Sequence, residues 1–418
     1  MGKTDDNNPA RPDADGPSRE QLFHLLAEAA ELEHNILCSY LYAAFSLKQR
    51  EDEDVTAAEL RAIERWRGQL MGLCIEEMVH LAQACNLLVA LGARPHFNRP
   101  NLPVAPGYHP AGVAIGLAAF SLDTIEHFIF LERPVQAPVA DSGAFADDAG
   151  APRPEPAFVP LMPRAPAYET IGEFYEALRA ELERAARDLG EKRLFSGPAD
   201  LQLTPDEIKS PDLVVVRSMA DARRAIDFIV EQGEGSGGGH DDSHFGRFEA
   251  IKAEFQSLQA ARPGFEPARE AALNPVMHAP VTDDRVWIDG TRSAPVIDAA
   301  NAAYATMLRC LARLYEAPVS APAQRQALLG GAMACMNAVT ALGTALTELP
   351  AGDGDSPVRA GMSFAMLRSV EGLIPGCAAP MLAERLAEIV ERTPTLGLPG
   401  AERAAAALTD AARALRPT

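Results

Sequence analysis

The sequence predicts an all-α fold: a four-helix bundle interrupted by a long insertion and followed by a further C-terminal helical region. Three observations carry this. Long segments bury apolar residues at a stride of three and four, glycine and proline close those segments, and charged residues fall on the buried side of several stripes. No solenoid-period repeat and no heptad run offers another architecture.

Taken in order, residues 1–17 are polar and acidic and are expected to form a disordered tail. Ser18 with Glu20 and Gln21 gives a capping-box-like start. The first helix, Gln21 to about Lys48, places Leu26, Ala30, Glu33, Leu37, Tyr40 and Ala44 on one face. A second, about Ala57 to Leu91, carries Trp66, Leu70, Leu73, Glu77, His80, Leu81, Ala84 and Leu88 inward, and "GARP" stops it. Residues 96–165 read as an insertion with an apolar stretch, "VAIGLAAFSLDTIEHFIFLERP", and a mobile loop around "VADSGAFADDAGAPRPEP".

"YETIGEFYEALRAELERAARDLG" predicts a third helix, with Glu173 read as its cap beside Thr170. "SMADARRAIDFIVEQGEG" predicts a fourth, preceded by the strand-like "DLVVVRS". The glycine run of "VEQGEGSGGGHDDSHFGRF" reads as a tight turn, because Phe248, Ile251, Phe255 and Leu258 continue a helical stripe from His244. The bundle with its insertion thus spans 18–265. A C-terminal helical extension, 280–418, is expected to pack on it, with helices near 295–316, 321–349, 357–370 and 380–392.

Composition narrows the function. The chain has 418 residues, 47% of them hydrophobic, and a net charge of −20. Such a charge repels nucleic acid and anionic membrane surfaces. Six cysteines without CxxC pairs argue against a disulfide scaffold or zinc knuckle. A soluble, cytoplasmic protein is expected, and a homodimer fits so much apolar helix surface.

The inward-facing polar residues form a set: Glu33, the Glu-x-x-His pair Glu77 and His80, the Asp-x-x-His pair Asp241 and His244, and Glu231 or Glu234 beside it. Each such pair puts two ligands on adjacent turns of one face, the pattern of a carboxylate-bridged dinuclear metal site. Buried carboxylates repel one another unless paired or metal-bound. Carboxylate and imidazole donors without sulfur suit iron, two per chain, or manganese, with zinc as an adventitious guest. Glu234 lies nearer than Glu231 to the inward face of its helix. Tyr40 is the candidate catalytic side chain, acting as a hydrogen-bond partner of the ligands. His34, Glu76, His127 and Glu132 are solvated or core-edge residues able to line a pocket, and His240 is a turn residue. Met71, Met78 and Phe45 are packing.

The segments "LAEAAELEHNILCSYLYAAFSLK", "EEMVHLAQACNLLVALGARPHF", "TIGEFYEAL", "AIDFIVEQGEG" and "SHFGRF", with "LARLYEAP", "AGMSFAMLRSV" and "LAERLAEI" further on, resemble the ferritin-like family that includes the iminophenylpyruvate dimer synthase domains of bisindole pathways. The likeness runs from about residue 20 to 395. It implies a ferritin-like bundle, metal-dependent oxidation in bacterial secondary metabolism, and coupling of amino-acid-derived imines. The ligands it implies are Glu33, Glu77, His80, the glutamates of "EQGEG" and His244. Asp241 departs from the usual Glu-x-x-His, and its shorter carboxylate bears on the second metal. The leading expectation is an oxidoreductase using O2 or peroxide on an amino-acid-derived substrate. Iron storage by ferroxidase chemistry is one alternative. A metal-free scaffold, its carboxylates paired with Arg61, Arg65, Arg67, Arg223 or Arg224, is another.

Overall fold

A computed structural model describes residues 19–104, 108–109, 113–137, 139–145, 162–233, 242–280, 282, 284–354, 357–368, 370, 373–399 and 401–416. The expected tail at 1–17, most of the expected mobile loop, and Glu234, His240 and Asp241 lie outside these residues. The described residues are helical, with only isolated β-bridges between them.

Helices α1 (Arg19–Ser46) and α2 (Ala57–Ala90) form the central pair. They must run antiparallel: α1 is about 42 Å long at 1.5 Å per residue, whereas the ten linking residues reach about 35 Å at most. Thr56 caps α2 by accepting from Glu59 N–H, while the Glu59 carboxylate returns to Thr56 N–H. Gly92, at φ +94°, ends it with a backbone that L side chains disfavour.

The insertion folds around α3 (Leu122–Leu131), which packs on α8, so it is part of the bundle wall rather than an appendage. Next come α4 (Ile171–Leu189) and two single turns, α5 (Glu191–Leu194) and α6 (Pro205–Ile208). Helix α7 (Met219–Gly233) and helix α8 (His244–Ala261) close the bundle. Thr170 caps α4 as expected, but the Glu173 carboxylate takes the N–H of Glu169 instead of completing the box on Thr170.

The strand-like 212–218 is extended without being a strand. Its backbone is satisfied by side-chain amides in place of a neighbouring strand: Gln83 and Gln202 accept from Val214 and Val216 N–H, while Asn86 donates to Val214 O.

The C-terminal region is a second helical layer of α9 (Ala294–Leu314), α10 (Pro322–Leu346), α11 (Pro375–Arg392) and α12 (Ala401–Leu415), docked on α1 through α10. α12 lies beyond the helices anticipated from sequence. The expected helix at 357–370 is absent: among its described residues, this segment runs extended, with Arg359 N–H donating to Glu270 O and Ala360 N–H to Leu349 O. Gly361 permits the close packing of this extended run. A Cβ on Gly361 would lie 1.9 Å from Tyr42 Oη, so the backbone itself packs against that ring. Gly361→Ala is therefore expected to cost roughly 2–3 kcal/mol through overpacking. A melting temperature unchanged by the substitution contradicts that close approach.

Helices α2 and α10 are long and apolar enough to cross a membrane by length and composition. However, 83% of the apolar window of α2 and 50% of that of α10 are buried inside the protein, as core helices are.

Candidate metal centre

Three elements of the bundle and the end of α3 converge on one buried cluster. From α1 comes Glu33, from α2 Glu77 and His80, and from α8 His244. Glu132, the C-cap of α3, completes it. Their side chains are 93% or more buried. The donor atoms of Glu33, Glu77 and His80 all lie within 4.8 Å of one another, as do those of Glu77, Glu132 and His244. Glu77 belongs to both groups.

Both imidazoles face the cluster through Nδ1. That of His80 lies 3.1 Å from Glu77 Oε2 and 3.5 Å from Glu33 Oε2. That of His244 lies 2.8 Å from Glu77 Oε1 and 3.5 Å from Glu132 Oε1, yet at angles that make no hydrogen bond. A buried ring nitrogen close to two carboxylates but bonded to neither is placed like a donor sharing a third atom with them. The other nitrogens are anchored outside: His80 Nε2 to Gln232 Oε1 at 2.8 Å, and His244 Nε2 to Glu76 Oε2 at 2.9 Å. Metal-bound histidines are held in this way, because the outer bond fixes both tautomer and ring direction. Arg247 in turn grips Glu76 through both of its terminal nitrogens.

Two tyrosines finish the shell. Tyr175 of α4 donates to Glu33 Oε1, and Tyr40 donates to Glu132 Oε1 at 2.5 Å. Burial pushes both phenols well up, so both stay protonated donors. Tyr40 is locked edge-on between Phe128 and Phe248, its centroid 4.5 and 5.0 Å from theirs. A cavity of about 20 Å³, room for one water-sized guest, lies against Glu33, Glu77, His80, Glu132 and Tyr175. Ile36, Ile171, Ile229 and Val230 make its apolar wall. A Cβ on Gly233 would come within 3.2 Å of Glu132 Oε2, so the glycine keeps that oxygen's flank open.

Electrostatics bind the cluster together in the absence of metal. Burial lifts the Glu33 carboxyl to about 7, against the pull of His80. Burial alone would depress His80, but the Glu77 and Glu33 carboxylates outweigh it and hold the imidazole up at about 10. His244 is likewise held well up, by Glu77 and Glu132 against its burial. Burial also opposes ionisation of Glu77 and Glu76. The two imidazoles nevertheless keep Glu77 well below the usual range, and His244 with Arg247 keeps Glu76 down at about 2.

A pH dependence follows. His80 stabilises the metal-free fold fully below pH 6.5 and loses that contribution as pH rises through about 10; Glu33 prefers its protonated form and destabilises as pH rises from 4.5 through about 7. Metal needs both groups deprotonated. Melting curves from pH 6 to 9 are therefore expected to show the metal-free protein falling while the gain on adding Fe(II) grows. A gain that shrinks with pH contradicts this.

The structure brings Glu33, Glu77, His80 and His244 together, and holds Tyr40 against the cluster as expected. Glu231 is corrected: α7 buries Ala222, Ala225, Ile226, Ile229 and Gly233, and Glu231, two positions before Gly233, is turned to solvent. Its neighbour Gln232 reaches His80 instead. Sequence reasoning set Glu132 aside as core-edge and overlooked Tyr175 and Gln232. Tyr175 had a usable signal, since a tyrosine inside an apolar stripe needs a partner for its hydroxyl. The scaffold alternative needed arginines on these carboxylates, but Arg65 and Arg223 pair with Glu254 and Glu183 at the surface, and Arg224 with Asp221.

A family profile described as ferritin-like matches residues 26–253, more than half of the chain. The chain is 25% identical over 371 residues to dichlorochromopyrrolate synthase of Lentzea aerocolonigenes, covering 80% of this chain and 35% of that protein. It is 26% identical over 409 residues to 2-imino-3-(indol-3-yl)propanoate dimerase of Chromobacterium violaceum, covering 91% of this chain and 37% of that one. It thus spans little more than a third of the length of either, at 35% and 37%. A crystal structure of a ferritin-like protein from Caulobacter vibrioides superposes with a TM-score of 0.41 and 21% identity, over 76% of this chain and 95% of that one.

Proposed function

The chain belongs to the ferritin-like family, and from that membership we propose that it is a dinuclear-metal oxidoreductase acting on a small amino-acid-derived substrate with O2 or peroxide. Iron is the proposed metal, manganese the alternative. Oxidative dimerisation of an imino acid in secondary metabolism is the proposed reaction, in keeping with the names of the two relatives. The observation that carries the reading is Glu77, shared by two carboxylate–imidazole groups whose histidines are both anchored from outside and aimed inward.

Glu33, Glu77 and His80 would hold one metal, and Glu77, Glu132 and His244 the other. When bound, the pair supplies electron transfer to O2 or peroxide, which side chains of this chain cannot provide. The protein's own work is geometric. Glu76 and Gln232 aim the imidazoles, Tyr175 and Tyr40 each donate a hydrogen bond that orients an outer carboxylate, and the apolar wall keeps bulk water out. Joining two imino acids through one new bond releases two electrons and two protons, enough to reduce O2 to hydrogen peroxide. At about 20 Å³ the cavity admits O2 but no aromatic amino acid, so the organic substrate would bind outside it. A cytoplasmic setting is proposed from the thiols: all six cysteines are free, five of them buried.

Oxygen uptake tests the reading. Fe(II)-loaded protein is given 2-imino-3-arylpropanoates, generated in place from aromatic amino acids. Uptake that depends on both iron and the imino acid is expected, and Tyr175→Phe is expected to keep its metal while slowing uptake about tenfold. Uptake indifferent to the organic substrate, with ferric iron accumulating on the protein, would favour storage instead.

A further inference from the structure

The two metal positions are built unequally. His244 donates its outer proton to a carboxylate, Glu76 Oε2 at 2.9 Å, which Arg247 fixes in place. His80 is held by the neutral amide oxygen of Gln232 at 2.8 Å. A charged acceptor polarises an imidazole more than an amide does, and makes its other nitrogen the stronger donor.

The anchors also differ in rigidity. Glu76 sits in the middle of α2, one residue before the bridging Glu77 and on the same helix. Gln232 is the next-to-last residue of α7, where helices fray. The cavity distinguishes the histidines again: both positions reach it through carboxylates, Glu33 and Glu77 for one and Glu77 and Glu132 for the other, but of the two imidazoles only His80 lines it.

We infer that the position of Glu77, Glu132 and His244 is the tight, first-filled and permanent one, while that of Glu33, Glu77 and His80 fills second, exchanges, and meets the incoming oxidant. This rests on the dinuclear reading above and deepens it: a chain purified with a single metal carries it at His244.

Anaerobic equilibrium dialysis of the metal-free protein against Fe(II) alone tests the inference. Two steps per chain are expected, the first at least about tenfold tighter. Glu76→Gln, which keeps size and loses charge, should weaken the tight step by about 10- to 100-fold and leave the weak step in place. Glu33→Ala should remove only the weak step. Gln232→Glu should draw the weak step towards the tight one. Two equal steps in the native protein overturn the inference, as does a Glu76→Gln variant in which the weak step is the one that moves. No iron uptake at all defeats the dinuclear reading itself, and the two failures are distinct in the binding curve.

Discussion

Glu77→Ala, loaded anaerobically with Fe(II) and desalted, is expected to retain fewer than roughly 0.2 metal ions per chain against about two for the native protein. Among the described residues Glu77 is the only one common to both donor groups, so its loss would take one donor from each proposed metal position and remove the charge between them. Glu33→Ala and Glu132→Ala each touch one group and should each leave about one metal. Without metal, Glu77 is also what the two buried imidazoles share, at 3.1 and 2.8 Å. Breaking a buried pair from one side costs on the order of 3–5 kcal/mol, so Glu77→Ala should also melt early. Glu77→Gln separates the two effects, because the amide preserves volume and part of the hydrogen bonding but not the bridging charge. Metal analysis showing two irons in Glu77→Gln would falsify the shared-ligand reading.

The second large effect is structural and lies away from the metals. Arg99 is buried, and its hydrogen bonds go to neutral acceptors on three distant parts of the chain and on its own neighbour, Pro100. It donates to Tyr304 Oη on α9 at 2.9 Å, to Phe364 O in the extended segment at 2.6 Å, to Pro100 O at 2.9 Å, and to Cys38 Sγ on α1 at 3.6 Å. The Tyr304 hydroxyl also sits 2.5 Å from His34 Nε2, one residue beyond Glu33. Arg99 therefore ties the C-terminal layer to the helix that carries a ligand. Arg99→Ala leaves carbonyls without donors and opens a cavity, together worth about 3–5 kcal/mol. Arg99→Met refills the volume and removes a charge that is costly to bury, so it should lose about half as much. Denaturant unfolding measures both. An Arg99→Ala variant within about 1 kcal/mol of native would show that the clamp holds nothing.

Helical stride makes Glu33, Glu77, His80 and His244 legible in the sequence, because a charge on an otherwise apolar face has to be explained by a partner. The same stride misleads at 357–370. There the spacing suits a helix, but the segment runs extended with the Gly361 backbone close against Tyr42, and that contact comes from a residue far away in the chain. In 212–218 the β-branched run predicts a strand, while the partners it needs are glutamine and asparagine side chains on other segments. Glu132 was hidden for a related reason. It follows a short helix in a stretch that reads as an insertion, and only the packing of α3 on α8 carries it to the buried cluster. Glu231, offered as a ligand with Glu234, differs from Gln232, which reaches His80, by a rotation of about 100°, finer than an estimate of helix ends allows.

That placement of Glu132 bears on the order of folding. A centre made wholly within α1 and α2 could take up metal as soon as that hairpin formed. Here one outer carboxylate arrives only after the insertion has docked, and the second histidine only once α8 has closed over it. Contacts so distant in sequence are slow to form, since each needs a long loop to be closed first. On the dinuclear reading, metal acquisition would therefore be a late event in the life of the chain, and iron offered to a nascent or truncated form would find only the Glu33, Glu77 and His80 half of its seat.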